Sequence, residues 1–137
     1  MHRLLCFVPL VAMLVAAPGA LAKERVTANI DRPTHCDAAA GSRVTIAFSL
    51  TTFASGRAQP FGAGGVFVRL RRAGGRAALE VAAHADRRGH YVARVTVPRG
   101  GILRIDAGLE GTQTSGGQTR DADVLFPTRN DPCRAPR

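Results

Sequence analysis

Within Asp86 to Gly111 the chain twice places an apolar side chain at every second position, over 91–97 and over 103–109, and nothing else in the sequence limits the fold so strongly. Tyr91, Ala93, Val95 and Val97 fall on one side of an extended chain, with His90, Arg94 and Thr96 on the other. Leu103, Ile105, Ala107 and Leu109 then alternate with Arg104, Asp106 and Gly108. A repeat of two is what a strand requires when one face is buried and the other wet, whereas a helix requires 3.6. Pro98 has no N–H to give to a ladder, and Gly100 and Gly101 suit a tight reversal. The stretch therefore predicts two strands joined as a hairpin by Pro98-Arg99-Gly100-Gly101, with the core around them.

The same alternation recurs upstream. Lys23 to Ile30 reads as a first strand, with Val26, Ala28 and Ile30 on one face, stopped by Asp31-Arg32-Pro33. His35 to Ser42 reads as a loop in which Asp37 to Ala40 has room for one helical turn. Arg43 to Leu50 alternates cleanly, with Val44, Ile46, Phe48 and Leu50 inward. Thr51 to Gly65 is rich in Ser, Gly and Pro and reads as a long connection pinned to the core edge by Phe53 and Phe61. Val66 to Arg72 is a third strand, with Val66, Val68 and Leu70 inward and Phe67, Arg69 and Arg71 outward. Gly74-Gly75 turns the chain into a strand carrying Ala77, Leu79, Val81 and Ala83. Its alanines also suit a helix, but its shortness between glycines favours a strand. Thr112 to Asp121 reads as a polar, mobile loop, and Ala122 to Phe126 as a last strand ended by Pro127. Seven short strands, turn signals between them and no strong helix predict an all-β, antiparallel immunoglobulin-like β-sandwich. The chain has no Trp, so the Cys-Trp-Cys pattern of antibody domains is missing.

The first residues are set apart from this domain. Arg3 is followed by an apolar run from Leu4 to Ala17 and by Ala20-Leu21-Ala22, an A-x-A cleavage site. Together they read as a secretory signal over residues 1–22, cut after Ala22. The apolar run is too short for a bilayer, which takes roughly 20 residues, and no later stretch is apolar enough to span. The expectation is a single domain over 23–137 in a secreted or periplasmic setting. Two cysteines remain after cleavage, Cys36 and Cys133. In an exported protein such a pair usually forms a disulfide, which here would tie an irregular tail, 126–137, to the start of the domain.

Asp86-Arg87-Arg88-Gly89-His90-Tyr91, followed by Ala93-Arg94-Val95 and Val97-Pro98-Arg99-Gly100-Gly101, resembles the D-x-x-G-x-Y … V-x-x-P-x-G-G pattern of bacterial exported immunoglobulin-like domains. Among these it is most similar to YtkA-like and FixH-like domains, and Pro60-Phe61-Gly62 leading into Val66 to Leu70 also fits. The resemblance covers Arg43 to Gly111. It implies an immunoglobulin-like fold and brings no catalytic residues with it. FixH-like proteins are membrane-anchored, and the cleavable signal departs from that.

Chemistry-bearing patterns are sparse. Nucleophilic catalysis needs a Ser or Cys beside a base; there is no G-x-S-x-G, and His84 and His90 fall at outward or turn positions. Asp106, Glu110, Asp121 and Asp123 are carboxylates without the marks of an acid–base pair. Gly62-Ala63-Gly64-Gly65 lacks the Gly-Lys-Ser/Thr of a phosphate loop and reads as a turn. No enzyme, cofactor or resident metal is expected. A weaker alternative is a copper chaperone resembling CopC-like proteins, using His35 with Cys36, Asp37 and Cys133. Against it, the expected N-terminus Lys23-Glu24-Arg25 has no His, and both methionines, Met1 and Met13, lie in the signal.

The formal net charge is +9, carried almost wholly by arginine, with Lys23 the single lysine. Arg69, Arg71, Arg72, Arg76, Arg87, Arg88 and Arg94 fall on outward faces or turns. If their strands are neighbours, Arg69, Arg71 and Arg94 form a basic stripe suited to phosphate or carboxylate. The leading functional reading is a secreted, non-enzymatic module with a structural or interaction role in the cell envelope. Its expected partner is an envelope protein or an anionic polymer. Nucleic acid is not expected, because the chain is exported and only Phe67 offers an outward aromatic for stacking.

Overall fold

The computed structural model describes residues 26–72 and 78–134. Every regular element among them is a strand. In chain order these are β1 (Thr27–Arg32), β2 (Arg43–Ala54), β3 (Arg57–Pro60), β4 (Val66–Arg71), β5 (Leu79–Ala82), β6 (His84–Arg87), β7 (His90–Thr96), β8 (Arg104–Leu109), β9 (Thr112–Ser115), β10 (Gln118–Asp121), β11 (Val124–Leu125) and β12 (Thr128–Arg129). A six-stranded sheet runs β12-β1-β2-β7-β6, with β3 paired to β2. A four-stranded sheet runs β11-β8-β4-β5, and β9 pairs with β10 apart from both. The residues expected to form the signal, the Gly74-Gly75 turn, Arg76 and Ala77 lie outside the described residues.

The two sheets close over one apolar interior. Ala28 and Ile30 of β1, Ile46, Phe48 and Leu50 of β2, and Tyr91, Ala93 and Val95 of β7 come from the larger sheet. Val66, Val68 and Leu70 of β4 and Ile105 and Ala107 of β8 come from the smaller. Phe48 and Tyr91 stack with centroids 5.6 Å apart, and Phe61 meets Phe126 edge-on at 6.2 Å. The Tyr91 hydroxyl does not cost the core an unpaired polar group. It accepts from the Ala63 N–H at 2.7 Å and donates to the Ala63 carbonyl at 3.0 Å, which ties the connection before β4 to the interior.

The strand pair from which the sequence was read is not a hairpin. β7 pairs with β2 and β6, while β8 pairs with β4 and β11 in the opposite sheet. Val97 still pairs with the loop before β2, donating to Ser42 and accepting from Gly41. The reversal at Pro98 to Gly101 then carries the chain across the interior until Leu103 donates to Arg71. Alternation shows which side of a strand faces the core, and both sheets meet that condition equally well.

The connection expected over 51–65 is largely strand. β2 runs on to Ala54 and folds back as β3 through a two-residue turn, Ser55-Gly56, with φ of 51° and 75°. Both values are positive, as a type I′ hairpin turn requires. Phe61 packs on the core edge as expected, but Phe53 is 62% exposed. The loop expected over 112–121 is likewise the β9–β10 hairpin, turning at Gly116-Gly117. Asp37 to Ala40 forms no helical turn. The strand expected to end at Ala83 divides there: β5 belongs to the smaller sheet and β6 to the larger, and Ala83 donates to Val66 at the crossing.

Cys36 and Cys133 form a disulfide spanning 97 positions of sequence, with Cα atoms 5.0 Å apart. It holds the tail where Asp131 receives the N–H groups of Ile105 and Cys133. Such a bond belongs with an oxidising, extracytoplasmic compartment. No helix among the described residues is long and apolar enough to cross a membrane.

Candidate functional site

The outward arginines of β4 do not lie open. Arg69 pairs with Glu80 of β5 at 2.7 Å and with Asp123 at 3.2 Å, and its guanidinium lies 5.4 Å from the centre of the Phe67 ring. Arg71 and Arg104 both bind Asp106, at 3.0 and 2.6 Å. Asp106 is 1% exposed although it points away from the interior. Phe67 occupies the outward face of β4 as expected, yet it is 2% exposed: its ring lies over Gly108 and beneath Arg69. It offers no surface for stacking a base. Arg94 is exposed on β7, in the other sheet. The structure thus brings Arg69 and Arg71 together and places Arg94 apart from them.

The outer face of the larger sheet carries a polar row, of which the alternation placed Ser49 and His90 outward without showing that they meet. Register places Asn29 opposite Ser49 and Ser49 opposite His90. Asn130 donates to Asn29 at 2.7 Å, Asn29 donates to Asp31 at 2.9 Å, and the Ser49 hydroxyl donates to Asp31 at 2.6 Å. His90 approaches Asp31 through Nε2 at 3.5 Å and meets Asp86 through Nδ1. The hydrogen bond with His90 holds the Asp86 carboxyl below the usual carboxylate range. Partial desolvation opposes the shift, and the charges of His90 and Arg87, with the Arg87 amide, add to it. Ser49, Asp31 and His90 are the residue types of a hydrolase triad in the wrong order. The hydroxyl donates its hydrogen bond to the carboxylate, and the imidazole faces two carboxylates instead of a nucleophile. The row cross-ties β1, β2, β7 and the residue that follows β12, Asn130.

Beside this row the sheet edge is notched. β7 pairs with β2 up to Ser49, and β3 takes over the same edge of β2 from Thr51. The β6–β7 turn fills the gap between them. The Gly89 carbonyl accepts from Leu50 at 2.7 Å, and a Cβ on Gly89 would lie 2.7 Å from the Pro60 Cβ, so only glycine permits this approach. A cavity of about 270 Å³ remains, bordered by Arg87, Arg88, His90, Thr51 and Gln59. The Arg88 side chain runs along Gly62.

Two other recesses hold residues singled out in the sequence. His35 and Asp37 line an open groove of about 610 Å³ with Arg32 and Thr45. Cys36 beside them is spent in the disulfide, so the ligand set His35, Cys36, Asp37 and Cys133 has no thiolate to offer. Among the described residues no three His, Cys, Asp or Glu side chains gather as a metal site. Glu110, Asp121 and Asp123 line a cleft with Glu80, and Asp106 is not part of it. Compared with protein-family models, with curated proteins and with solved structures, the chain matches none.

Proposed function

We propose that this chain is a non-enzymatic, immunoglobulin-like module of the bacterial cell envelope that works by contact with a partner. The observation that carries the reading is strand order. Without the two small hairpin additions and β12, the larger sheet runs β1-β2-β7-β6 and the smaller β11-β8-β4-β5. Lettered in chain order these are A-B-E-D and G-F-C-C′, an order that fits immunoglobulin-type sandwiches. The resemblance to YtkA-like domains agrees with it. Its glycine and tyrosine are Gly89, which lets the β6–β7 turn approach β3, and Tyr91, whose hydroxyl ties residue 63 to the core. The disulfide supports an extracytoplasmic location. The work done by Asp106, Asp31 and His90 is structural, since each holds neighbouring strands together.

The test combines a search for turnover with a thiol assay. Purified protein, offered chromogenic esters, phosphates and glycosides, is expected to give no turnover that depends on His90 or Asp86. Turnover abolished by His90→Ala would overturn the non-enzymatic reading. Cys36 and Cys133 are expected to resist alkylation until reductant is added. Free thiols in the protein taken from cells would remove the extracytoplasmic assignment.

A further inference from the structure

We infer that the notch between the β6–β7 turn and β3 binds a phosphate group, with Arg87 and Arg88 as its cations. The inference rests on the contact-module reading and gives that module a ligand class. Its basis is that two arginines without a carboxylate partner line one recess. Arg69, Arg71 and Arg104 are each committed to a carboxylate. Arg87 and Arg88 are neighbours at a reversal, and neither side chain makes an ion pair or hydrogen bond with a described residue. Beside them Thr51 lines the same cavity on the outward face of β2, and its hydroxyl makes no hydrogen bond with a described residue; Gln59, opposite Thr52, borders the cavity from the other face. Two guanidinium groups and a hydroxyl match an anion with several oxygens, because Arg binds phosphate through paired N–H groups.

Size narrows the ligand. At about 270 Å³ the notch is below the roughly 300–1,000 Å³ that enclose a drug-sized molecule, so it suits a head group with the rest of the ligand outside. The groups opposing an anion are Asp86, next to Arg87 in sequence, and Asp31. Both face His90, through Nδ1 and Nε2, Asp31 also accepts from Asn29 and Ser49, and Asp86, which feels the charge of Arg87 as well, is the carboxylate a bound anion has to compete with. The turn is fixed by the Gly89–Leu50 hydrogen bond and the Pro60 contact, so the site needs little ordering when it binds. Such a phosphate is borne by a soluble glycerol-phosphate polymer or by a phosphatidylglycerol head group. Phe53, exposed one alternation beyond Thr51 on the same face of β2, is placed to enter a lipid surface in the second case.

Glycerol 3-phosphate titrated into the purified protein, followed by amide chemical shifts, is expected to saturate and to move Thr51, Gln59, Arg87 and Gly89. Arg87→Gln with Arg88→Gln is expected to weaken binding by about tenfold or more. Arg43→Gln with Arg94→Gln removes the same charge from the far end of the sheet and is expected to change it by less than about twofold. Equal weakening by the two pairs, or shifts that never saturate, would overturn the site and leave the contact-module reading in place. Because Arg88 packs along Gly62, Arg87→Gln alone and Thr51→Val serve as milder variants; binding unchanged in both would also overturn it. Flotation with phosphatidylglycerol vesicles that is lost in Phe53→Ala identifies the lipid as the source. Binding of glycerol 3-phosphate without flotation identifies the soluble polymer.

Discussion

Gly108 and Phe67 give the most direct test of how the outer face of the smaller sheet is built. They are cross-strand partners on β8 and β4. A Cβ added at Gly108 would lie 2.3 Å from Cζ of Phe67, 2.7 Å from Cε2 and 2.9 Å from Cε1. Carbon atoms rest at about 3.5–4.0 Å, so Gly108→Ala forces the ring back by more than about 1 Å. The ring cannot withdraw freely, because Arg69 lies over it and is held by Glu80 and Asp123. Overpacking of this kind costs roughly 1–3 kcal/mol, less about 0.4–1 kcal/mol regained because alanine restricts the unfolded chain. Phe67→Ala on its own is expected to cost about 3 kcal/mol, the lower end for a buried phenylalanine, since one side of the ring is covered only by an arginine. In the double variant the new methyl enters space the ring has left, so the cost of Gly108→Ala is expected to vanish. Urea unfolding with linear extrapolation measures all four corners of the cycle. If Gly108→Ala costs the same with and without the ring, Phe67 is not seated on Gly108 and the description of this face is wrong.

Three further outcomes follow from the same contacts. Replacing Cys36 and Cys133 by serine releases a link across 97 positions and is expected to cost about 2–4 kcal/mol; an unchanged urea midpoint would show that the tail docks without it. Asp106→Ala leaves Arg71 and Arg104 without their acceptor, but their side chains are 50% and 45% exposed and can turn to water. The expected loss in the same unfolding assay is therefore roughly 1–3 kcal/mol, below that of a fully buried broken pair. Asp86 has its carboxyl pKa lowered by folding, so its contribution is present above the unfolded-state pKa and is lost as pH falls through the lower folded value. Thermal melting of Asp86→Asn is expected to lie below that of the parent at pH 6 and to meet it near pH 2; a constant gap across that range would contradict the assignment.

The sequence carried most of the core, because burial on one face of a strand imposes a repeat of two wherever it occurs, but Leu103 and Leu79, read on the apolar side of their strands, are 54% and 40% exposed. Ile46, Phe48, Leu50, Tyr91, Ala93, Val95, Ile105 and Ala107 are all interior. It did not carry sheet membership. β7 and β8 face each other across the core, and their alternation would look the same side by side. Two hairpins were hidden by composition. Ser55-Gly56 and Gly116-Gly117 are turn signals, but the flanking segments are too polar to show alternation, since β3 and β10 bury none of their residues. Phe67 and Asp106 were read correctly as outward-pointing, and their burial depends on Arg69, Arg71 and Gly108 arriving from neighbouring strands. The notch was illegible for the same reason: Arg87 and Arg88 are plain in the sequence, but Thr51 and Pro60 come beside them only through the pairing of β2 with β3 and the approach of Gly89.

The Cys36–Cys133 bond also decides how the molecule responds to tension. A pull applied between residue 26 and residue 134 enters the covalent loop at the two sulfurs and bypasses every hydrogen bond between β2 and β12. Of the strands among the described residues, only β1 lies outside that loop, held between β2 and the parallel β12. Under load β1 therefore peels away as a short, fixed extension while the remaining strands stay shielded. Reduction of the single bond converts the same chain from a stop into a spring that can unravel.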